Sequence, residues 1–289
     1  MFSLVFLMLL VHFSLVSPQS LSTDNALHVK NIIILAGQSN MAGRGGVINN
    51  TTWDGIVPPE CRPNPLILRL SAALTWQEAQ EPLHRDIDFT KICGVGPGMA
   101  FSNSVLQRDL GIGVIGLVPC AIGGTNISEW RRGGILYNQL VVRAQAALHG
   151  GGGMIRAILW YQGESDALDP EDAKLYKKRL KKFITHVRSD LRSPLLPFIQ
   201  VALASGGAYV DIIRKAQLEI DLPNVRCVDA KGLALQPPDN LHLTTAAQVE
   251  LGTMLADAFL QTMAPLPVRS SAPQRFRNIF LDLLLRLLR

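Results

Sequence analysis

The chain has 289 residues, 48% of them apolar, and a formal net charge of +5. That length and apolar content are enough for the full core of one α/β domain. The charge does not mark a nucleic-acid surface: many basic residues fall between Lys174 and Arg192 or near the C-terminus, with no aromatic interleaving or recognition motif.

Residues 1–20 open with an apolar run to Val16 and turn polar at Ser17 and Pro18. The run has the length of a signal-peptide core and falls short of the roughly 20 residues of a membrane span, so a cleaved leader and a secreted protein are expected. A single domain is expected over residues 28–263. Its first strand, "NIIILAG", ends at the polar corner Gly37-Gln38-Ser39-Asn40, and glycines follow at Gly43, Gly45 and Gly46. Asn49-Asn50-Thr51 and Asn50-Thr51-Thr52 are overlapping acceptors for an N-linked glycan.

A helix is predicted over "MAFSNSVLQRDL", then a strand over "IGVIGLVPCA", which runs into Ala121-Ile122-Gly123-Gly124-Thr125-Asn126. The helix "LYNQLVVRAQAAL" and the strand "MIRAILWYQG" follow, the latter reaching Gln162-Gly163-Glu164-Ser165-Asp166. In the basic helix, Leu175, Leu180, Phe183, Ile184 and Val187 recur at helical spacing and leave the lysines on a solvated face. Strand "LPFIQVAL", helix "AYVDIIRKAQLEIDL" and strand "NVRCVDA" come next. The last helix, "TTAAQVELGTMLADAFLQT", is announced by Thr245 and Gln248 at capping-box spacing. Residues 264–289 form a Pro/Ser-rich linker and the basic amphipathic segment "RFRNIFLDLLLRLLR". Its one polar face (Arg275, Asp282, Arg286, Arg289) suits contact with a membrane surface, packing on the body or association.

Continuous apolar strands alternating with helices imply a central parallel sheet covered on both faces, a three-layer α/β/α sandwich. Ligands of such sheets bind beyond the carboxyl ends of the strands. Three polar, glycine-bearing corners fall on that edge. "GIGVIG", Gly111 to Gly116, matches a dinucleotide fingerprint only literally, because it leads into a strand and does not open a helix. Of the four cysteines, Cys61 and Cys93 lie in loop-like sequence and are expected to bridge, while Cys120 and Cys227 read as buried thiols.

A serine nucleophile needs a base to take its proton and a third group to orient that base. Among the six histidines, His242 in "QPPDNLHLTT" has a carboxylate, Asp239, three residues upstream in an irregular loop. Ester hydrolysis also needs oxyanion donors, for which the Ser39 N–H, a glycine N–H of Gly123-Gly124 and the Gln162 amide are candidates.

The blocks "GQSNMAG", "GGTNISEW", "WYQGESDA" and "DNLHLTTAAQ", in that order, resemble those of the SGNH hydrolase superfamily in its sialate O-acetylesterase-like branch of carbohydrate esterases. The resemblance runs from about Lys30 to about Gln261. It implies a flavodoxin-like sandwich with Ser39 as nucleophile, His242 as base and Asp239 as orienter. It places the oxyanion hole at Ser39, Gly124 and Gln162, needs no cofactor or metal, and implies an acetylated polysaccharide or sugar as substrate. Gln38 stands where many members carry Asp and Gln162 where many carry Asn, departures typical of the carbohydrate branch. Gln38, Asn40, Asn126 and Glu164 are candidate substrate contacts. Two alternatives accompany this reading. One is a glycosidase using Glu164 and Asp166, which needs carboxyls about 5 Å apart. The other is a non-catalytic sugar-binding protein stacking sugars on Trp53, Trp130, Trp160 and Tyr161.

Overall fold

The computed structural model describes residues 30–149 and 152–263. The expected leader and the C-terminal amphipathic segment lie outside the described residues. Strands β1 (Lys30–Gly37), β4 (Ile67–Leu70), β5 (Trp76–Glu78), β6 (Ile115–Pro119), β7 (Gly153–Tyr161), β8 (Phe198–Ala202) and β9 (Val225–Asp229) form one sheet. Its order is β5-β4-β6-β1-β7-β8-β9, with only the β4–β5 pair antiparallel. A small hairpin pairs β2 (Val47–Ile48) with β3 (Thr52–Trp53).

The helices are α1 (Ser39–Ala42), α2 (Pro97–Arg108), α3 (Ile135–His149), α4 (Pro170–Asp190), α5 (Val210–Leu218) and α6 (Thr245–Met263). In the three-layer sandwich, α2 packs on α6, α3 lies against β6 and β7, and α4 packs on α5. Within the described residues, every strand and every helix from α2 onward that the apolar pattern predicts is present. The basic helix is α4, and Asp169 caps it by accepting from the Glu171 and Asp172 N–H groups. It buries Tyr176, Leu180, Phe183, Ile184 and Val187. Phe183 sits 4.6 Å from Trp160, centroid to centroid, and Trp160 lies 5.1 Å from Trp130.

Two expectations are corrected. The four cysteines are free: Cys61 packs beside α2, whereas the Cys93 sulfur accepts from Arg44, which follows the Ser39 corner. Burial pushes the Cys93 and Cys120 thiols up to about 11 and Cys227 to about 12, which keeps them protonated and inert. At the start of α6, Thr244 is the capping side chain, accepting from the Ala247 N–H. The Gln248 side chain does not complete a capping box; its amide donates to the Asn40 carbonyl.

The chain order places β1 at the centre, with β6 on one side and β7 on the other, so the strand order reverses beside it. A ligand crevice is expected at such a switch point. Strand β1 is buried from Asn31 to its end because it is covered on both faces. At that end Gly37 has φ +129°, and a Cβ there would lie 2.1 Å from the Tyr161 carbonyl oxygen. Only glycine lets β1 stay against β7 while the chain turns into α1.

Candidate active site

The abrupt turn after Gly37 puts Ser39 at the first position of α1, at the carboxyl edge of the sheet and 6% exposed. The opposite wall comes from the loop before α6. There the Asp239 carboxylate accepts from the Leu241 N–H at 2.9 Å, the His242 N–H at 3.2 Å and His242 Nδ1 at 2.7 Å. Burial pushes this carboxyl up, but the donors together hold it below the usual aspartate range. With Nδ1–H donating to Asp239, Nε2 is the accepting nitrogen of neutral His242, and it lies 3.0 Å from Ser39 Oγ. Three side chains named from the sequence thus meet in one hydrogen-bonded chain. They line a cavity of about 870 Å³.

The glycine corner after β6 forms the floor beside Ser39. Gly123 N–H donates to Asp88 Oδ2 at 3.1 Å, and that same oxygen takes the Arg44 guanidinium at 2.5 Å. Both side chains are buried. The Gly123 N–H is therefore engaged. Gly124, at φ +78° and exposed, has no partner for its N–H among the described residues. The Ser39 N–H is equally unengaged there, as expected for the first residue of a helix.

Gln162 is placed differently from the expectation. It is fully buried and is not part of the cavity wall. Its amide nitrogen reaches Thr125 O at 2.8 Å, Asp166 Oδ2 at 2.6 Å and Gln38 Oε1 at 3.3 Å. It stitches the corners after β1, β6 and β7 together from below. Gln38 does line the cavity, while its Oε1 also faces the Gly163 and Ser165 N–H groups.

Asn40, a candidate substrate contact, is also corrected: it is 0% exposed and braces the loop that carries His242. Its Nδ2 donates to Glu164 Oε1 at 2.9 Å and to Leu241 O at 3.3 Å, and its Oδ1 accepts from the Leu243 N–H at 3.0 Å. The residues on both sides of His242 are thus tied to the residue next to Ser39. Glu164 lines the cavity, and burial pushes its carboxyl up to about 7 against the opposing Asn40 bond. Asn126 is outside the cavity wall; its backbone N–H is capped by Glu129 and its side chain donates to Asp172.

The two alternatives fare poorly in this geometry. Asp166 is fully buried and accepts from the Ile127 N–H and the Gln162 amide, so it presents no second carboxylate to the cavity. Burial raises it to about 6. Trp130, Trp160 and Tyr161 are core residues at 0% exposure, and Trp53 is outside the cavity wall. The sequence reading missed Arg44 and Asp88. Arg44 follows the serine corner closely enough to have been a candidate, whereas Asp88 lies in a segment with no periodic signal. Asn49 and Asn50 are exposed, and Asn50 with Thr51 lies on the cavity wall.

Comparison with known proteins places this geometry. The family described as carbohydrate esterase, sialic acid-specific acetylesterase, matches residues 29–261. A probable carbohydrate esterase of Arabidopsis thaliana is 59% identical over 235 residues, which is 79% of this chain and 90% of that protein. An X-ray structure of an Arabidopsis thaliana protein superposes with a TM-score of 0.79 at 57% identity, covering 82% of this chain and 100% of the other. A carbohydrate acetylesterase from Xanthomonas citri shares the fold, with a TM-score of 0.57 at 20% identity over 79% of this chain and 55% of that one.

Proposed function

The chain belongs to the carbohydrate esterase family of sialic acid-specific acetylesterases, a carboxylic ester hydrolase, and from that premise we propose that it removes O-acetyl groups from acetylated carbohydrate through an acyl-enzyme on Ser39. One observation carries the reading: Ser39 Oγ lies 3.0 Å from His242 Nε2, whose other nitrogen is held by Asp239. Ser39 Oγ attacks the acetyl carbonyl as its proton passes to Nε2. The tetrahedral oxyanion is stabilised by the Ser39 and Gly124 N–H groups, with Gln162 supporting that corner from behind. His242 returns the proton to the departing sugar oxygen. Water then attacks the acyl-enzyme, giving up a proton to His242, which returns it to Ser39 as acetate leaves. Asp239 stays ionised and stabilises the imidazolium formed in each half-reaction.

The substrate is an acetylated cell-wall polysaccharide or related sugar reached after secretion, a setting supported by the leader pattern at residues 1–20 and the exposed acceptors Asn49 and Asn50. The test is acetate release from a panel of acetylated sugars, with fluorophosphonate labelling in parallel. Wild type releases acetate and is labelled at Ser39, whereas Ser39→Ala does neither. Folded wild-type protein that takes no label would sink the mechanism. Sequencing the N-terminus of the exported product tests the leader.

A further inference from the structure

The wall around Ser39 carries three apolar side chains that the catalytic chemistry does not use. Phe89 is 79% exposed, Leu168 71% and Ile92 38%, and all three line the same cavity as Ser39 and His242. Burying such a side chain stabilises a fold by about 1.5–3 kcal/mol, so leaving an aromatic and two aliphatic groups open on one cavity has no explanation in folding.

Their segments are held in place. Phe89 and Ile92 sit between Asp88, which bonds Arg44 and Gly123, and the Cys93-Gly94 pair, where the Gly94 N–H donates to the Gly43 carbonyl at 3.1 Å. Leu168 closes a short helical turn, Asp166–Leu168, whose Asp166 is buried and whose Ala167 carbonyl accepts from the Tyr209 N–H at 3.0 Å. The apolar groups therefore stand on two anchored rims and not on a loose loop.

The cavity, at about 870 Å³, falls in the range of sites that take a whole drug-sized ligand, about 300–1,000 Å³. That is far more space than an acetyl group fills. The rest of the wall offers Asn50, Thr51, Thr90, Ser165 and Asn240 as hydrogen-bonding groups. A saccharide chain presents this same mixture, with apolar C–H ring faces and hydroxyl edges.

We propose that Phe89, with Ile92 and Leu168 on the wall of the same cavity, is a sugar-ring platform that makes an acetylated oligosaccharide segment of several rings, not a small acetate ester, the preferred substrate of this site. The inference rests on the acyl-enzyme reading. Phe89 sets specificity by holding the rings next to the acetylated hydroxyl and takes no part in proton transfer or oxyanion binding.

The test compares p-nitrophenyl acetate with acetylated xylo-oligosaccharides of one to six rings. In wild type, kcat/KM rises with ring number. Phe89→Ala removes that rise by increasing KM about tenfold on the longer chains, leaves kcat and p-nitrophenyl acetate hydrolysis within twofold, and Phe89→Trp restores it. Calorimetry on Ser39→Ala protein gives the same dependence for oligosaccharide binding without turnover. An equal loss on p-nitrophenyl acetate and on long chains, or unchanged KM and binding in Phe89→Ala, overturns the platform while Ser39 labelling leaves the esterase reading standing. Unlabelled Ser39 in folded wild type overturns the esterase reading and this inference with it.

Discussion

The residue that ties the site together is Asn40, next to Ser39. One amide oxygen and one amide nitrogen reach the backbone on either side of His242, and Glu164 fixes which is which by accepting from the nitrogen. Asn40→Ala should therefore separate base from nucleophile without touching substrate. We expect kcat to fall about tenfold or more with KM nearly unchanged; an altered KM at constant kcat would instead make Asn40 a binding residue. Glu164→Ala should act through the same brace, so adding it to Asn40→Ala should cost little further, and additive losses would show two separate roles. Asp239→Asn should leave the fold intact and lower turnover by about 10³–10⁴, because it favours the wrong histidine tautomer. That Ser39, His242 and Asp239 would come together was legible in the sequence because Asp239 and His242 are neighbours in one loop and Ser39 stands at a strand end. The brace was not: Glu164 and Leu243 lie 124 and 203 residues from Asn40, and no local pattern records such a pairing. The Gln162 amide shows the same limit. Its place in the chain put it on the catalytic edge, but its direction follows from Asp166 and Thr125, contributed by two different corners.

At the scale of elements, the carboxyl edge works because its corners are fastened from below. Asp88 holds Gly123, and so the presentation of Gly124, while neutralising the buried Arg44. Removing one partner of a buried ion pair leaves an uncompensated charge, typically at about 3–5 kcal/mol. Asp88→Ala should thus lower the melting temperature markedly and reduce turnover. Adding Arg44→Met should recover stability, since both charges are then gone, but should not recover turnover, because the Gly123 N–H remains without its acceptor. Recovery of both would mean that Asp88 serves only the ion pair. The long elements, β1 and α2 to α6, were readable because burial imposes a period on ten or so residues at a time. Strands β4 and β5 were not, being four and three residues long at the sheet edge. The cap of α6 shifted by one residue because the Gln248 amide serves Asn40, a tertiary demand that local capping rules do not see.

At the scale of the whole molecule, the +5 charge is largely unconnected with the site: on α4, Lys174 pairs with Glu171, Lys177 with Glu219 and Arg179 with Asp172. The carboxyls that burial raises most lie elsewhere, inside the fold. Glu81, raised by burial to about 8 despite accepting from the Leu83 and Gly96 N–H groups, joins Glu164 at about 7 and Asp166 at about 6. Each holds its proton more tightly in the fold than in the unfolded chain, so its contribution is complete below the ordinary carboxyl range and is lost as pH rises through the folded value. His84 acts oppositely: burial lowers it to about 3, so it favours the fold progressively as pH rises toward 6.5 and adds nothing further beyond that. Above pH 6.5 the raised carboxyls therefore dominate, and stability should fall toward pH 8.5. Glu81 alone accounts for about 2 kcal/mol of that loss, at roughly 1.4 kcal/mol per pH unit until it ionises. Calorimetric melting at pH 6.5 and 8.5 should show a drop of several degrees. Leu83 and Gly96 donate to different oxygens of Glu81, so Glu81→Gln keeps an acceptor for only one of them and should lower the melting temperature at every pH, but it removes the titrating group and should flatten the profile without altering catalysis. A wild-type melting temperature constant over this interval, or a Glu81→Gln profile as steep as wild type, would remove Glu81 as the source.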